Sequence, residues 1–372
     1  MPKTVMIINY EYPPIGGGAA TQAKYLTEGL ARKGYHVVVL TSLFGDTKAY
    51  ESISDNLEIY RVRSYRRSLG ECSIWGMISF VLFAFLKIPE LMKTHTPDVC
   101  ITFFGIPCGP LSYFINKIYK VPYILCLRGG DVPGAVDIVD KYHKYLNPLS
   151  RIIWNNASII TTNSHKLKRI ASEFLGDIKI DVVYNGVDDN VFFPQPDLRE
   201  PKSILYAGRL DIEKNLEFMF LEVIPAVIKE DSDTIFTIVG DGPQRSRLEE
   251  IVEIKGLESN VNFIGWVGRD SIASEYNRHS LFILPSLSEG MSNVLLEAKA
   301  CGLTCCAVDI PENYELLEEG RDLIVAPDKM TDAILGYLQS ELKSGVAHEF
   351  TKTFAVRNMV QKYEQIFKTI IK

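Results

Sequence analysis

The chain has 372 residues, 47% of them apolar and 23% charged, which excludes intrinsic disorder and gives about two domains room for their own hydrophobic cores. Its net charge of −6 disfavours nucleic acid as a partner, because such binding rests on neutralising phosphates. The charge is uneven: residues 1–193 carry 21 Lys and Arg against 17 Asp and Glu, residues 194–372 carry 19 against 29, and a basic first half suits an anionic surface or acceptor.

Residues 4–9 form an apolar, β-rich run, and Tyr10-Glu11-Tyr12-Pro13-Pro14 breaks it too early for a signal peptide. Residues 21–33 have helical periodicity, with Leu26 and Leu30 four apart; Gly34 stops the helix, and 36–41 is a second strand. Between the first strand and the helix stand Gly16, Gly17 and Gly18. Successive glycines there let backbone N–H groups approach a phosphate at a helix N-terminus; the plainer alternative is a flexible turn. A dinucleotide fingerprint fits badly, since Thr21 takes its third glycine place and the second strand ends Leu40-Thr41-Ser42 without a ribose-binding acid. Nicotinamide binding is disfavoured.

Residues 43–75 look idiosyncratic and carry the basic cluster Arg61, Arg63, Arg66 and Arg67. The fifteen uncharged residues 72–86, between Glu71 and Lys87, fall short of the about 18–20 needed to span hydrocarbon. They read as a buried or half-buried helix, or as a helix resting on an anionic membrane surface beside those arginines. Short apolar strands follow at 99–103, 123–127 and 158–162, the second leading into Arg128-Gly129-Gly130-Asp131. Strands of this kind alternating with helices predict a parallel sheet covered on both faces.

Residues 194–201 hold three prolines and no periodicity, which reads as a linker. The α/β rhythm then restarts at 203–207, 234–239, 261–264, 281–284 and 304–308. The expected domains are therefore 1–193 and 201–350, joined by 194–200, with a ligand in the cleft between them beyond the carboxyl ends of the strands. Residues 351–372 look helical, and Phe354, Tyr363 and Phe367 suit packing back on the first domain.

Within the second domain Gly208 and Arg209 end a strand and Lys214 follows five residues later, a placement in which two cations can hold a diphosphate. Gly240-Asp241-Gly242-Pro243 is another strand-ending turn. Glu289 lies in the loop after 281–284, Ser292 or Asn293 can cap the next helix, and Glu297 projects from about its first turn. The N–H groups of Gly290, Met291, Ser292 and Asn293 lie between the two carboxylates, a set able to bind a polyhydroxylated, phosphorylated ligand; alternatively, Glu297 is an ordinary surface residue. The seven cysteines have no CxxC spacing and the six histidines no zinc signature, which predicts a reducing cytoplasm and no structural or catalytic zinc.

Taken in order, Pro13-Pro14 with Gly16–Gly18, Asn185-Gly186-Val187-Asp188, Gly208-Arg209 with Lys214-Asn215, Gly240-Asp241-Gly242-Pro243 and the Glu289/Glu297 pair spaced E-x7-E mark a resemblance. The chain resembles, over nearly its whole length, the family 4 retaining glycosyltransferases, whose GT-B fold has two facing Rossmann-like domains. The resemblance implies that Arg209 and Lys214 hold the donor diphosphate, that Glu297 binds the nucleotide ribose and Glu289 the donor sugar hydroxyls, and that the glycine loop and Asn185 serve the donor from the first domain. It implies a nucleotide-sugar donor, no metal or other cofactor, and a glycan, lipid-linked or small-molecule acceptor. Many members carry His-Gly-x-Asp where this chain has Arg128-Gly129-Gly130-Asp131. A guanidinium does not deprotonate near neutral pH, so Arg128 is expected to orient a donor hydroxyl, a phosphate or an anionic acceptor rather than act as a base. Asp131 is expected on the acceptor side or in a structural role, and Arg61 and Arg63 on the acceptor side. The rivals are a phosphorylase or an epimerase on the same scaffold, and an inactive protein that binds nucleotide sugars within a larger assembly. The expected location is cytoplasmic, at the inner face of the membrane if the surface helix binds lipid.

Overall fold

A computed structural model describes residues 3–66, 68, 72–135, 137–176, 178–340 and 347–371; Arg67, Glu71 and Lys372 lie outside them. The chain forms two compact units, Met1–Gly186 with Val356–Lys372, and Val187–Ala355.

The first unit runs β1 (Thr4–Ile8), α1 (Gly18–Arg32), β2 (His36–Leu43), β3 (Tyr50–Ser54), β4 (Leu57–Arg63), α2 (Ile74–His95), β5 (Val99–Phe103), α3 (Gly109–Tyr119), β6 (Tyr123–Cys126), α4 (Asp137–Asn156), β7 (Ile159–Thr162), α5 (His165–Leu175) and β8 (Ile180–Val182). Its sheet has the order β3-β4-β2-β1-β5-β6-β7-β8. All neighbours pair in parallel except β3, which lies antiparallel on β4 at the edge. The direction of winding reverses between β1 and β5, so the loops after these strands open side by side. Alternate residues of β1 feed two apolar layers: Met6 and Ile8 face the layer containing α2, and Val5 and Ile7 the layer containing α1.

The last helix, α13 (Val356–Ile370), belongs to this unit although it follows the second in sequence. Tyr363, Ile366 and Phe367 are buried in the α1 layer, and burying such a side chain is worth about 1.5–3 kcal/mol. Two glycines permit the approach: a Cβ on Gly29 would overlap Val360, and one on Gly186 would overlap the backbone of Val356. Lys33 and Tyr35 both reach the Glu364 carboxylate, pinning the middle of the helix. The break between the units therefore falls at Gly186/Val187, ahead of the proline-rich segment 194–200. That segment is fastened to the second unit: Asn277 accepts from the Gln195 N–H, and Arg278 pairs with Glu200.

Helix α2 has 22 residues, so it extends well past the uncharged run. Ser73 caps it by accepting from the Gly76 N–H, and Thr96 closes it with a left-handed φ of 42°. Phe80, Ala84, Ile88 and Leu91 form its core face, whereas Ile74, Trp75, Ile78, Leu82 and Leu86 are exposed. By length and composition it could cross a membrane, but one of its faces is committed to the protein interior. Two members of the expected basic surface cluster are not on the surface. Arg61 is buried and bonds Glu51 at 2.8 Å, and the Arg66 side chain is fully enclosed, 3.6 Å from Glu11. Each is buried because a carboxylate offsets its desolvation. Arg63, at the end of β4, is exposed.

The second unit runs β9 (Ser203–Ala207), α6 (Leu216–Phe218) continuing through a π-helical turn at Met219–Val223 into α7 (Ile224–Glu230), β10 (Ile235–Val239), α8 (Arg245–Lys255), β11 (Val261–Gly265), α9 (Arg269–Arg278), β12 (Leu281–Leu284), α10 (Asn293–Ala300), β13 (Thr304–Val308), β14 (Leu323–Val325), α11 (Met330–Gln339) and α12 (Ala347–Phe354). The sheet is parallel, in the order β11-β10-β9-β12-β13-β14, and its winding reverses between β9 and β12. An open α/β sheet presents its ligand site outside the carboxyl ends of the strands at such a reversal. Here those ends are followed by Gly208 and by the loop 285–292.

Candidate functional site

The residues singled out by the sequence fall in two groups, one on each unit. On the second unit, β9 is followed by Gly208, and its loop is stitched to the loop after β10. Leu210 donates to the Asp241 carbonyl at 3.0 Å, and Gln244 donates back to Leu210 at 3.0 Å. A Cβ on Gly240 would overlap the Gly208 carbonyl oxygen, and Gly240 has φ +129°. Only glycine serves at that crossing. The fully buried Tyr206 donates its hydroxyl to the Arg209 carbonyl at 3.0 Å, fixing the backbone from which that guanidinium projects. The Arg209 side chain is 41% exposed, with Nε 3.4 Å from Asp211.

Lys214 ends the short turn Ile212–Lys214, and its ammonium lies 2.7 Å from Glu289 Oε1. The loops after β9 and β12 are thus joined by an ion pair whose side chains are 22% and 11% exposed. Glu312 supports the second loop by accepting from the Glu289 N–H at 3.4 Å. Ser292 caps α10 by accepting from Leu295, which aims the amides of the helix start toward the same strand ends. Met291 and Ser292 are buried. One turn into α10, Glu297 accepts from the hydroxyl of the buried Tyr276 at 3.0 Å. Burial, with the Glu297 charge adding to it, pushes the Tyr276 phenol well above its ordinary value, so it stays a donor. These links set the loop of Gly208, Arg209 and Lys214 against the Gly240 turn and against Glu289, and Gly290, Met291, Ser292 and Asn293 lead from Glu289 into α10 and Glu297. The spacing does not point to Tyr276, Tyr206 or Glu312.

On the first unit, Gly16 has φ +92° and closes the loop before α1, and a Cβ there would overlap the Glu11 side chain. Gly17 is the N-cap, and a Cβ on it would meet nothing. Glu11 lies beneath this loop, facing the Gly17 N–H and Arg66; burial raises its carboxyl above the ordinary value while those two donors oppose the rise. Its place five residues before a glycine run is a signal of this role that the glycines alone do not give.

Arg128 and Asp131 close the second loop of this group. Asp131 is buried and accepts from the N–H groups of Gly105, Arg128 and Gly129 at 2.7, 2.8 and 3.0 Å. It therefore shapes the loop. Arg128 donates Nη1 to Asn185 at 2.8 Å and Nη2 to the Tyr363 hydroxyl at 3.2 Å, and its guanidinium lies 4.5 Å above the Phe103 ring. The variant arginine and the asparagine of the Asn-Gly-Val-Asp segment are thus direct partners. Arg61 lies apart, held by Glu51 and the Lys48 carbonyl. Among the described residues one set of side chains able to hold a metal ion exists, His36, Glu58 and His95, at the opposite end of the first sheet.

The arrangement on the second unit can hold a diphosphate between a guanidinium, an ammonium and helix-start amides while carboxylates accept from sugar hydroxyls. Comparisons with known proteins give the chain's family and fold. The family described as Glycosyltransferase Family 4 matches residues 16–191, and that described as Glycosyl transferases group 1 matches residues 201–340. Among curated relatives, the N-acetyl-alpha-D-glucosaminyl L-malate synthase of Bacillus anthracis is 23% identical over 83% of this chain and 80% of its own length. Among solved structures, a sucrose-phosphate synthase from Thermosynechococcus elongatus superposes with a TM-score of 0.83 at 18% identity, covering 99% of both chains. Anabaena HepE, solved in complex with UDP-glucose, gives a TM-score of 0.76 at 16% identity, covering 98% of this chain and 99% of its own. The fold class is GT-B.

Proposed function

Because this chain belongs to the family 4 glycosyltransferases, we propose that it transfers a hexosyl group from a nucleoside diphosphate sugar, with retention at the anomeric carbon and without a metal ion. The observation that carries this reading is the convergence of Arg209, the Lys214–Glu289 pair and the capped start of α10 at the strand ends where the second sheet reverses. As the glycosidic bond breaks, charge grows on the leaving diphosphate, and preorganised cations and amides lower the barrier most when they strengthen with that charge. Arg209 offers a planar fork to the phosphate oxygens and Lys214 a point charge. Glu289 accepts from the sugar hydroxyls and Glu297, oriented by Tyr276, from the ribose. Retention follows if the leaving phosphate takes the acceptor proton on the face it departs from. Arg128, held by Asn185 and Tyr363, is assigned to positioning rather than proton transfer.

The acceptor side is assigned to the first unit. Its helix α2 exposes Ile74, Trp75, Ile78, Leu82 and Leu86 along one side, an apolar stripe suited to lie in the headgroup region of a membrane. With all seven cysteines as free thiols, this favours a cytoplasmic enzyme at an anionic membrane surface, acting on a lipid-linked or glycan acceptor.

The test is nucleotide release from a panel of UDP-, GDP- and ADP-sugars in excess EDTA, with the anomer of the product read by NMR. UDP-sugars come first, given the HepE complex. Release without metal, lost in Arg209→Ala and giving the retained anomer, supports the reading. Release that needs Mg²⁺ or Mn²⁺, or an inverted product, refutes it. Binding of a nucleotide sugar with no turnover on any acceptor would favour the inactive rival.

A further inference from the structure

At the amino-terminal edge of the first sheet, three side chains converge that the reaction does not use. His36 opens β2, Glu58 is the second residue of β4, and His95 ends α2. In the parallel pairing Val38 faces Glu58 and Leu40 faces Tyr60, so His36, Glu58 and Tyr60 project from one face of the sheet. That is the face α2 covers. His36 Nε2 and His95 Nδ1 are 3.3 Å apart, and Glu58 Oε1 lies 3.3 Å from the first and 3.8 Å from the second.

The surrounding hydrogen bonds decide which of these atoms carry lone pairs. Tyr50 and Tyr60 donate their hydroxyls to Glu58 Oε2, at 3.0 and 2.9 Å. The Tyr60 hydroxyl lies 3.0 Å from His95 Nε2. Its hydrogen is committed to the carboxylate, so it accepts from His95 Nε2–H, which leaves Nδ1 of that ring bare. Glu58 Oε1 is likewise an acceptor. Three acceptors are thus drawn together once His36 carries its proton on Nδ1. A tetrahedral zinc ion with bonds of about 2.0–2.2 Å sets its ligands roughly 3.3–3.5 Å apart, and two of the three separations match. The tyrosines supply the outer shell that orients a ligating imidazole and carboxylate.

We propose that His36, His95 and Glu58 form a zinc-class divalent cation site that clips the end of α2 to β2 and β4. The side chains of His36, Glu58 and His95 are 20%, 18% and 7% exposed, so the ion can enter and keep a water as fourth ligand. The catalytic loops follow the opposite ends of these strands. The site is therefore structural, steadying the helix that carries the exposed apolar stripe.

The experiment uses the untagged full chain, stripped with EDTA and desalted, then titrated with ZnCl₂ by calorimetry and thermal melting, and with Co²⁺ by visible absorption. The expected result is one equivalent bound, a melting temperature raised by several degrees, a ligand-field band for Co²⁺, and nucleotide release unchanged by metal. His36→Gln and His95→Gln should abolish these responses. Tyr60→Phe, which keeps all three ligands, should weaken binding roughly tenfold. If a histidine variant fails to fold, Co²⁺-shifted imidazole protons in the wild type must report two histidines. No uptake by the wild type, uptake undiminished in either histidine variant, or shifted resonances from fewer than two histidines would overturn the proposal.

Discussion

Lys214 Nζ and Glu289 Oε1 are 2.7 Å apart, so one ion pair ties the loop after β9 to the loop after β12. The pair has a cost and a use. On the proposed function, it partly neutralises the ammonium before a donor arrives and holds both side chains ready for the diphosphate sugar. Arg209→Ala should melt near the wild type and Lys214→Ala somewhat below it, since it leaves Glu289 unpaired, yet each should lose roughly 10²–10³ in turnover. Arg209→Lys should recover only part, since a point charge cannot reproduce a planar fork. Rates of donor hydrolysis at saturating donor check this, and near-normal rates in both alanine variants would move the diphosphate elsewhere.

Two glycines should respond in opposite ways to the same change. Gly240→Ala places a methyl group on the Gly208 carbonyl at a φ of +129° and should cost several kcal/mol, on the order of the most disruptive single substitutions. Gly17→Ala meets no atom within 4 Å and should fold normally. If the loop approaches a phosphate, the second variant still loses donor affinity. Full activity of folded Gly17→Ala would leave that loop a mere turn.

Tyr276→Phe removes the hydroxyl bonded to Glu297 without changing the packed ring. It should lower stability by about 1 kcal/mol and raise the donor KM with little effect on kcat. Parallel melting and steady-state measurements separate the two effects. A fall in kcat at unchanged KM would mean that Glu297 serves the reacting centre.

Glu364 anchors α13, and hydrogen bonds from Lys33 and then Lys368 lower its carboxyl from an ordinary 4.5 to about 2, against a smaller opposing effect of burial. A carboxyl depressed in the folded state contributes stability above its unfolded value and loses it as the pH falls toward the folded one. Glu364→Gln should therefore melt below the wild type at neutral pH, with the gap narrowing as the pH drops from about 4.5 toward 2. A gap that is constant over this range would show that the carboxylate charge contributes nothing.

The exposed stripe of α2 should govern lipid binding. Trp75→Glu with Leu82→Glu, both on the solvent side, should abolish flotation with anionic vesicles while leaving the melting temperature unchanged. Equal recovery of the wild type with neutral and anionic vesicles would remove the electrostatic part of the idea.

What the sequence reveals depends on how local the determining physics is. Val99–Phe103, Leu281–Leu284 and Thr304–Val308 are runs buried on both faces whose only polar residues are Thr102 and Thr304, and such runs announce themselves. β3 is almost wholly exposed and β4 carries a buried arginine, so neither shows the expected pattern. α2 continues past Lys87 because lysine is a good helix former, and its ammonium is placed by Glu90 one turn on and by the Tyr60 ring at 5.3 Å. Arg209, Lys214, Glu289 and Glu297 are legible because backbone geometry at strand ends and helix starts fixes their spacing. Tyr276, Glu312 and the Glu11–Arg66 pair are not, since each acts on a partner at least 21 residues away. The proline-rich segment resembles a free tether in sequence, but side chains far along the chain fasten it to the second unit.

The return of α13 to the first unit also sets an order for biosynthesis. A ribosome delivers the first unit's sheet early but withholds the helix that covers Leu26, Leu30 and Tyr25 until the whole second unit has been made. At about 5–20 residues per second this is a delay on the order of ten seconds or more. During that time the nascent sheet carries an uncovered apolar face, a natural substrate for chaperones. Loss of the chain beyond residue 355 would accordingly damage the unit made first and leave the unit made last intact.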